Sequence, residues 1–381
     1  MNMRFRRSIR RAGIGATAFF AATAFAAPAA FAADTTADLE LKVTGSTLSA
    51  GADWKKASFT VLNHGPQSAS VIRFQADLTG LDASKVEFDW PYDCEPESGK
   101  LDCVIDVPIA AGEAWDYTFG LKRKSNVAGS AGTLKFEISA PEDQNTANNS
   151  KSVEVVLSAN GGVDFATFAY DIYGLDGNGK VSDEPAQPGE VTLFRGFAAN
   201  YGSKVAKGTR VTIKLPTDVT FTEEEPGYCS FKVGDSTGVC EYKEDIALPY
   251  DANKTYPAPP IYPDYVAGFG FMVKISENAA GPVTLTGGEL TVEAIEEVAV
   301  ETPVPAAGAK RANAPAASEL KDIDPSDNTD EFVAYVAAKG GQGGGLPVTG
   351  AQVGLIAGVG LGAVVGGGFL LLMARRRRVT A

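Results

Sequence analysis

Few residues in this chain are equipped for chemistry. Among 381 residues there is one histidine, His64, and there are four cysteines, Cys94, Cys103, Cys229 and Cys240. A Ser-His-Asp or Cys-His catalyst would have to use His64. That residue sits in Asn63-His64-Gly65-Pro66, a turn sequence with no nucleophile motif beside it. Neither cysteine pair has the C-x-x-C spacing of a zinc site. The cysteines therefore read as disulfides, the usual state in an exported protein. Three pairings are open. Cys94–Cys103 and Cys229–Cys240 are favoured because each closes a short local loop, adding about 2–3 kcal/mol in the chain-entropy picture.

Oxygen ligands are more plentiful. Asp176, Asn178 and Asp183 lie in one Gly-rich loop and form a weak calcium candidate, because calcium takes Asp and Asn oxygens at alternate positions. Lys180 interrupts that series, and a solvated turn is favoured. Asp322, Asp324 and Asp327 make a second oxygen-rich stretch, which backbone-capping turns explain equally well. Glu223-Glu224-Glu225 reads as a solvated charge run. No cofactor is expected, with calcium the one alternative. Tyr250, Tyr256, Tyr262 and Tyr265 occupy a proline-rich stretch. Tyr256 and Tyr262 are candidate contacts for a glycan or protein, since amphipathic rings on a loop suit such surfaces. Packing of the loop onto a sheet is the competing explanation, as it is for Phe88, Trp90 and Tyr92.

These residues must be positioned by strands. Leu39, Leu41 and Val43 alternate with polar residues, as do Leu134, Phe136 and Ile138, and Val211, Ile213 and Leu215. The segments are short and separated by Gly, Asn, Asp and Pro. That pattern predicts an all-β, antiparallel sandwich architecture. The two halves echo each other. Asn63-His64-Gly65 and Asn200-Tyr201-Gly202 each end a strand, and Val86-Glu87-Phe88 and Val219-Thr220-Phe221 precede the first cysteine of each half. Asp143 to Asn149 and Asp322 to Asn328 share a spacing of six before a closing strand. Two homologous domains are expected, at 34–158 and 162–338, the second carrying a disordered Ala/Pro-rich insertion at about 298–317.

This pattern resembles the Ig-like repeats of bacterial surface proteins, with an Asn-x-Gly-Pro turn and an Asp-x-Asn-x-x-Asn-Asn approach to the last strand. The resemblance implies two tandem seven-stranded sandwiches used as spacers or adhesion modules. The second half departs from it: Ser203 stands for the turn proline, and Asp327-Asn328 for the paired asparagines.

The chain ends define location. Arg4, Arg6, Arg7, Arg10 and Arg11 precede an apolar stretch, and Ala30-Phe31-Ala32 fits a small-x-small cleavage site, so 1–32 reads as a signal peptide. Arg6-Arg7 leaves twin-arginine export open beside the ordinary route, which is favoured. A Gly-rich linker at 339–345 leads to Leu346-Pro347-Val348-Thr349-Gly350. The apolar run 353–373 is long enough for a transmembrane helix, at roughly 31 Å. A basic tail at 374–381, with Arg375 to Arg378, would lie in the cytoplasm. The pentapeptide, span and tail together resemble the Leu-Pro-x-Thr-Gly sorting signal of Gram-positive cell-wall proteins. That resemblance implies attack by a sortase cysteine on the Thr349 carbonyl and transfer of Thr349 to an amine of the peptidoglycan precursor.

With leader and tail set aside, 25 basic residues face 47 acidic ones, a net charge of −22. Nucleic acid is excluded as a partner, because phosphate binding needs basic patches. The expected protein is a non-enzymatic, secreted surface protein. It is held transiently by the membrane and then by the wall, and serves as a stalk or display module. The alternatives are an adhesin binding an unidentified extracellular ligand through loops of the second domain, and a metal-dependent hydrolase.

Overall fold

The computed structural model describes residues 36–339, except 93, 95–96, 107, 225–226, 255–262 and 299–320. The leader, the insertion apart from Val298, the Gly-rich linker apart from Lys339, the sorting pentapeptide, the expected transmembrane helix, the basic tail, Tyr256 and Tyr262 all lie outside the described residues. Among the described residues the structure is all-β, and no helix is long and apolar enough to cross a membrane.

The first half contains β1 (Leu39–Thr44), β2 (Thr47–Leu48), β3 (Trp54–Asn63), β4 (Ile72–Asp77), β5 (Val86–Asp89), β6 (Lys100–Ile105), β7 (Ala114–Arg123), β8 (Gly129–Ser139) and β9 (Ser150–Leu157). The second contains β10 (Phe165–Ala169), β11 (Val191–Asn200), β12 (Val205–Lys214), β13 (Val219–Phe221), β14 (Thr237–Ala247), β15 (Val266–Ile275), β16 (Val283–Val298) and β17 (Thr329–Val336). The sheets of the first half run β1-β3-β7-β5 and β2-β9-β8-β4-β6; those of the second run β10-β11-β15-β13 and β17-β16-β12-β14. The two plans correspond strand for strand, with β2 alone lacking a counterpart. The resemblance implied seven strands a half; the described residues form nine and eight. The chain crosses between sheets after β1, so β2 pairs parallel to β9 while all other strand pairs are antiparallel. Short strands β5 and β13 also extend the opposite sheet beyond β7 and β15.

Each half encloses its own core. In β3, Ala57, Phe59 and Val61 point inward while Ser58 and Thr60 point out, the period-two consequence of a pleated strand with one face covered. Phe59 stacks on Phe74 with ring centroids 4.4 Å apart, and Phe136 joins them. In the second half Phe194 stacks on Phe332 at 4.2 Å. Burying one such ring contributes about 2–3 kcal/mol.

The disulfides are Cys94–Cys103 and Cys229–Cys240. Each ties a loop to the equivalent strand, β6 or β14. The strand-ending asparagines also match. Asn63 Nδ2 donates to the carbonyls of Gln67 and Ile109, and Asn200 Nδ2 to those of Lys204 and Ala247. Their Oδ1 atoms accept from Gly65 and Gly202 N–H, respectively. A Cβ on Gly202 would collide with the carbonyl oxygen of Gly162, which is why this close turn requires glycine.

Candidate functional site at the junction of the two halves

The most unusual chemistry lies where the halves meet. Lys55 sits in the inward phase of β3, in register with Ala57 and Phe59, and its side chain is wholly buried. A buried ammonium is costly unless paired. Its Nζ donates to Asp164 Oδ1 at 2.7 Å and to Asp324 Oδ2 at 3.3 Å. Asp327 Oδ2 lies 3.1 Å from the same nitrogen. All three acids belong to the second half. Asp164 precedes β10, while Asp324 caps and Asp327 ends a single 3-10 turn, Pro325–Asp327, before β17.

One ammonium cannot neutralise three dry carboxylates. Burial works to discharge Lys55, but the fields of Asp164, Asp327 and Asp324 outweigh it and hold the amine above the usual lysine range. For Asp324, burial is offset by Lys55 and by donors from Ser326 and Thr47, so this acid stays below its ordinary value. Thr47 N–H donates to its Oδ2 at 2.7 Å, and Ser326 Oγ to its Oδ1 at 2.6 Å. Asp164 and Asp327 go the other way. Burial and the neighbouring acids exceed the pull of Lys55 and raise both. Neither Asp327 oxygen has a hydrogen-bond donor among the described residues. The local fields thus favour a Lys55 cation paired with an Asp324 carboxylate, while burial disfavours the charged forms of Asp164 and Asp327.

Polar contacts surround this cluster. Gly45 N–H donates to Ser326 Oγ, Ala50 N–H to the Asn160 carbonyl and Gly162 N–H to Ser49 Oγ; Ser49 Oγ is also 3.2 Å from Ser203 Oγ. Aromatic rings close one side. Trp54, next to Lys55, packs edge-on to Tyr201 at 5.6 Å and against Tyr250 at 5.1 Å, and Tyr250 meets Tyr265 at 4.9 Å. Lys56 Nζ lies 5.7 Å above the Phe168 ring, and burial pushes its pKa down to about 8.

A second group of acids faces across the same junction. Glu113 and Asp116 come from the first half; Asp171, Asp330 and Glu331 come from the second. Tyr335 donates to Glu113 Oε1 at 3.3 Å, and Lys42 pairs with Glu331 at 2.9 Å. Asp171 accepts from Val333 N–H at 2.9 Å, and Asp330 from Ala169 N–H at 2.7 Å. Burial, with Asp116 and Glu113 nearby, pushes Asp171 up to about 7. Burial and the field of Asp116 raise Asp330 as well.

The other residues singled out by sequence lie elsewhere. His64 Nε2 is 2.6 Å from Glu40 Oε2 in an exposed pair. Asp176 Oδ1 accepts from the backbone N–H of Asn178 and Lys180, closing an exposed turn on itself. Asp183 falls in the following bend, and no group of three or more His, Cys, Asp or Glu placed to hold a metal ion is found among the described residues. Phe88, Trp90 and Tyr92 stack along the first core; Tyr92 Oη accepts from Thr118 N–H. Tyr250 and Tyr265 serve packing at the junction. Sequence reasoning missed Lys55. The available signal was its phase: a lysine on the apolar side of an alternating strand.

No protein-family profile matches the chain, and no curated protein matches it. Among solved structures, one similar chain is described as the crystal structure of BslA, a bacterial hydrophobin. It is 14% identical, the match covers 32% of this chain and 95% of that one, and the TM-score is 0.21. A likeness of that size carries no argument about fold or function.

Proposed function

We propose that the chain is an exported, cell-wall-anchored display protein of a Gram-positive bacterium, built from two tandem Ig-like modules and joined to peptidoglycan through Thr349. The observation that carries this reading is the order Leu346–Gly350, apolar run, four arginines. Pro347 fixes one backbone angle and biases Leu346 to an extended form, Gly350 leaves the scissile bond unhindered, and glycines upstream give a sortase room beside a folded body. Two disulfides agree with an oxidising compartment. The shared strand plan agrees with a duplicated module, and the buried lysine joint suits a body that must present a fixed surface away from the wall.

The test is the mass and C-terminal peptide of the protein released from cell walls by muramidase. The expected product ends at Thr349 and carries a peptidoglycan fragment. A chain still ending at Ala381 and confined to the membrane fraction would overturn the proposal.

A further inference from the structure

The two halves bear the same end structure in two chemical versions. Leu39 N–H donates to Asp143 Oδ2 as Phe165 N–H does to Asp322 Oδ2. Asn145 N–H donates to Asp143 Oδ1 as Asp324 N–H does to Asp322 Oδ1. Asp38 N–H donates to Asn63 Oδ1 as Asp164 N–H does to Asn200 Oδ1. Asp38 is therefore the counterpart of Asp164, Asn145 that of Asp324, and Asn148 that of Asp327.

In the first half, Asp38 Oδ1 accepts from Asn145 Nδ2 at 3.1 Å and Asn148 Nδ2 at 3.0 Å. The carboxylate is satisfied from within its own half. In the second half both amides are replaced by acids. An ionised carboxylate donates nothing, so Asp164 draws its donor from outside, from Lys55 of the preceding half. We infer that Asp164, Asp324 and Asp327 form a module-coupling socket for one lysine of the preceding module, and that Asn or Asp at two positions decides whether such an end is closed or accepting.

Lysine fits the socket for a physical reason. Its compact ammonium has three donors on a straight stem, and the three acids converge on one nitrogen; the planar fork of arginine would not meet them at a point. The coupling is also directional. The position in the second half equivalent to Lys55 is Thr192, eight residues before Asn200 as Lys55 is before Asn63. Thr192 is fully buried and its Oγ1 donates to the Tyr173 carbonyl at 2.5 Å. The second half thus offers no lysine onward, and the first half offers no open socket backward.

The test compares variants of the full chain. Lys55→Met keeps most of the stem but leaves three acids without a cation. Its thermal unfolding midpoint is expected to fall by roughly 5–10 °C at pH 8, with less loss at pH 4.5, where the acids take protons. Adding Asp324→Asn and Asp327→Asn to Lys55→Met rebuilds the closed end of the first half around Asp164 and should restore most of the midpoint. Adding Asp324→Ala and Asp327→Ala removes the same charge without supplying amide donors and should restore less. A triple asparagine variant no more stable than Lys55→Met overturns the inference, and so does equal rescue by alanine. The intact mass of the parent chain is a further check. A value short by one water would mean that the amine has condensed with a carboxyl, and the ionic socket would fall.

Discussion

Asp171 gives the sharpest account of what the junction acids do to stability. Its carboxyl accepts a hydrogen bond from Val333 N–H, and that alone would lower its pKa. Burial, with Asp116 and Glu113 in view, raises it from 3.8 to about 7. The folded state therefore binds this proton more tightly than the unfolded chain. Its stabilising contribution is complete below about pH 4 and is lost as pH rises through 7. A shift of about three units corresponds to about 4 kcal/mol at ~1.4 kcal/mol per unit. The side chain is only half-buried, and solvent screening brings a realistic figure to about 2 kcal/mol. Asp171→Asn keeps an oxygen for Val333 N–H and removes the charge. It should leave stability at pH 4 unchanged and raise it by about 2 kcal/mol at pH 8. The assay is urea unfolding at several pH values followed by fluorescence of the three tryptophans, with variant and parent compared pairwise. Raised acids that do not feel Asp171 cancel in that difference; Asp330, which the Asp171 charge helps to raise, is relieved with it and adds to the gain at pH 8. A gap that is flat with pH, or an asparagine variant less stable at pH 8, would refute the reasoning.

Two further outcomes follow from the packing. Gly202→Ala would drive a Cβ against the Gly162 carbonyl and to 2.7 Å from Asp164 N, so it should destabilise by about 2 kcal/mol or more, whereas Gly177→Ala, with nothing within 4 Å, should be neutral in the same thermal melt. Replacing both Cys229 and Cys240 by serine frees a loop of sequence separation 11 and should lower stability by about 2–3 kcal/mol, read by denaturant midpoint against the oxidised parent.

Much of the fold was legible because one-sided strands print their phase in the sequence. Leu134, Phe136 and Ile138 are all buried in β8. The matching asparagine turns and the spacing before the closing strands pointed to the strand plan that the two halves share, and the local cysteine pairs follow from loop length. The joint was not legible for two reasons. Lys55 and Lys56 look like an exposed basic pair, since a lysine's usual place is in solvent, and the strand phase of Lys55 is the one local sign that it is dry. The acids at 322–327 read as turn caps, and they are: Asp322 accepts from Asp324 N–H and Asp324 from Ser326 N–H. Their second task depends on a residue more than 260 positions away, which no local window contains. The strand β2 escaped for a related reason, because it is two residues long and carries too little pattern to register.

The sequence distances at the joint also impose an order in time. Lys55 is made 109 residues before Asp164 and 269 before Asp324. During synthesis from the N-terminus, the first half can close every strand pairing of its two sheets by Leu157. Its lysine then waits in water for the last turn of the second half. Contacts of such long range carry a high closure entropy and form late. The partly made chain therefore presents a finished first sandwich with one charged residue still solvated on its apolar phase. Burial of that residue marks the moment at which the whole body is complete.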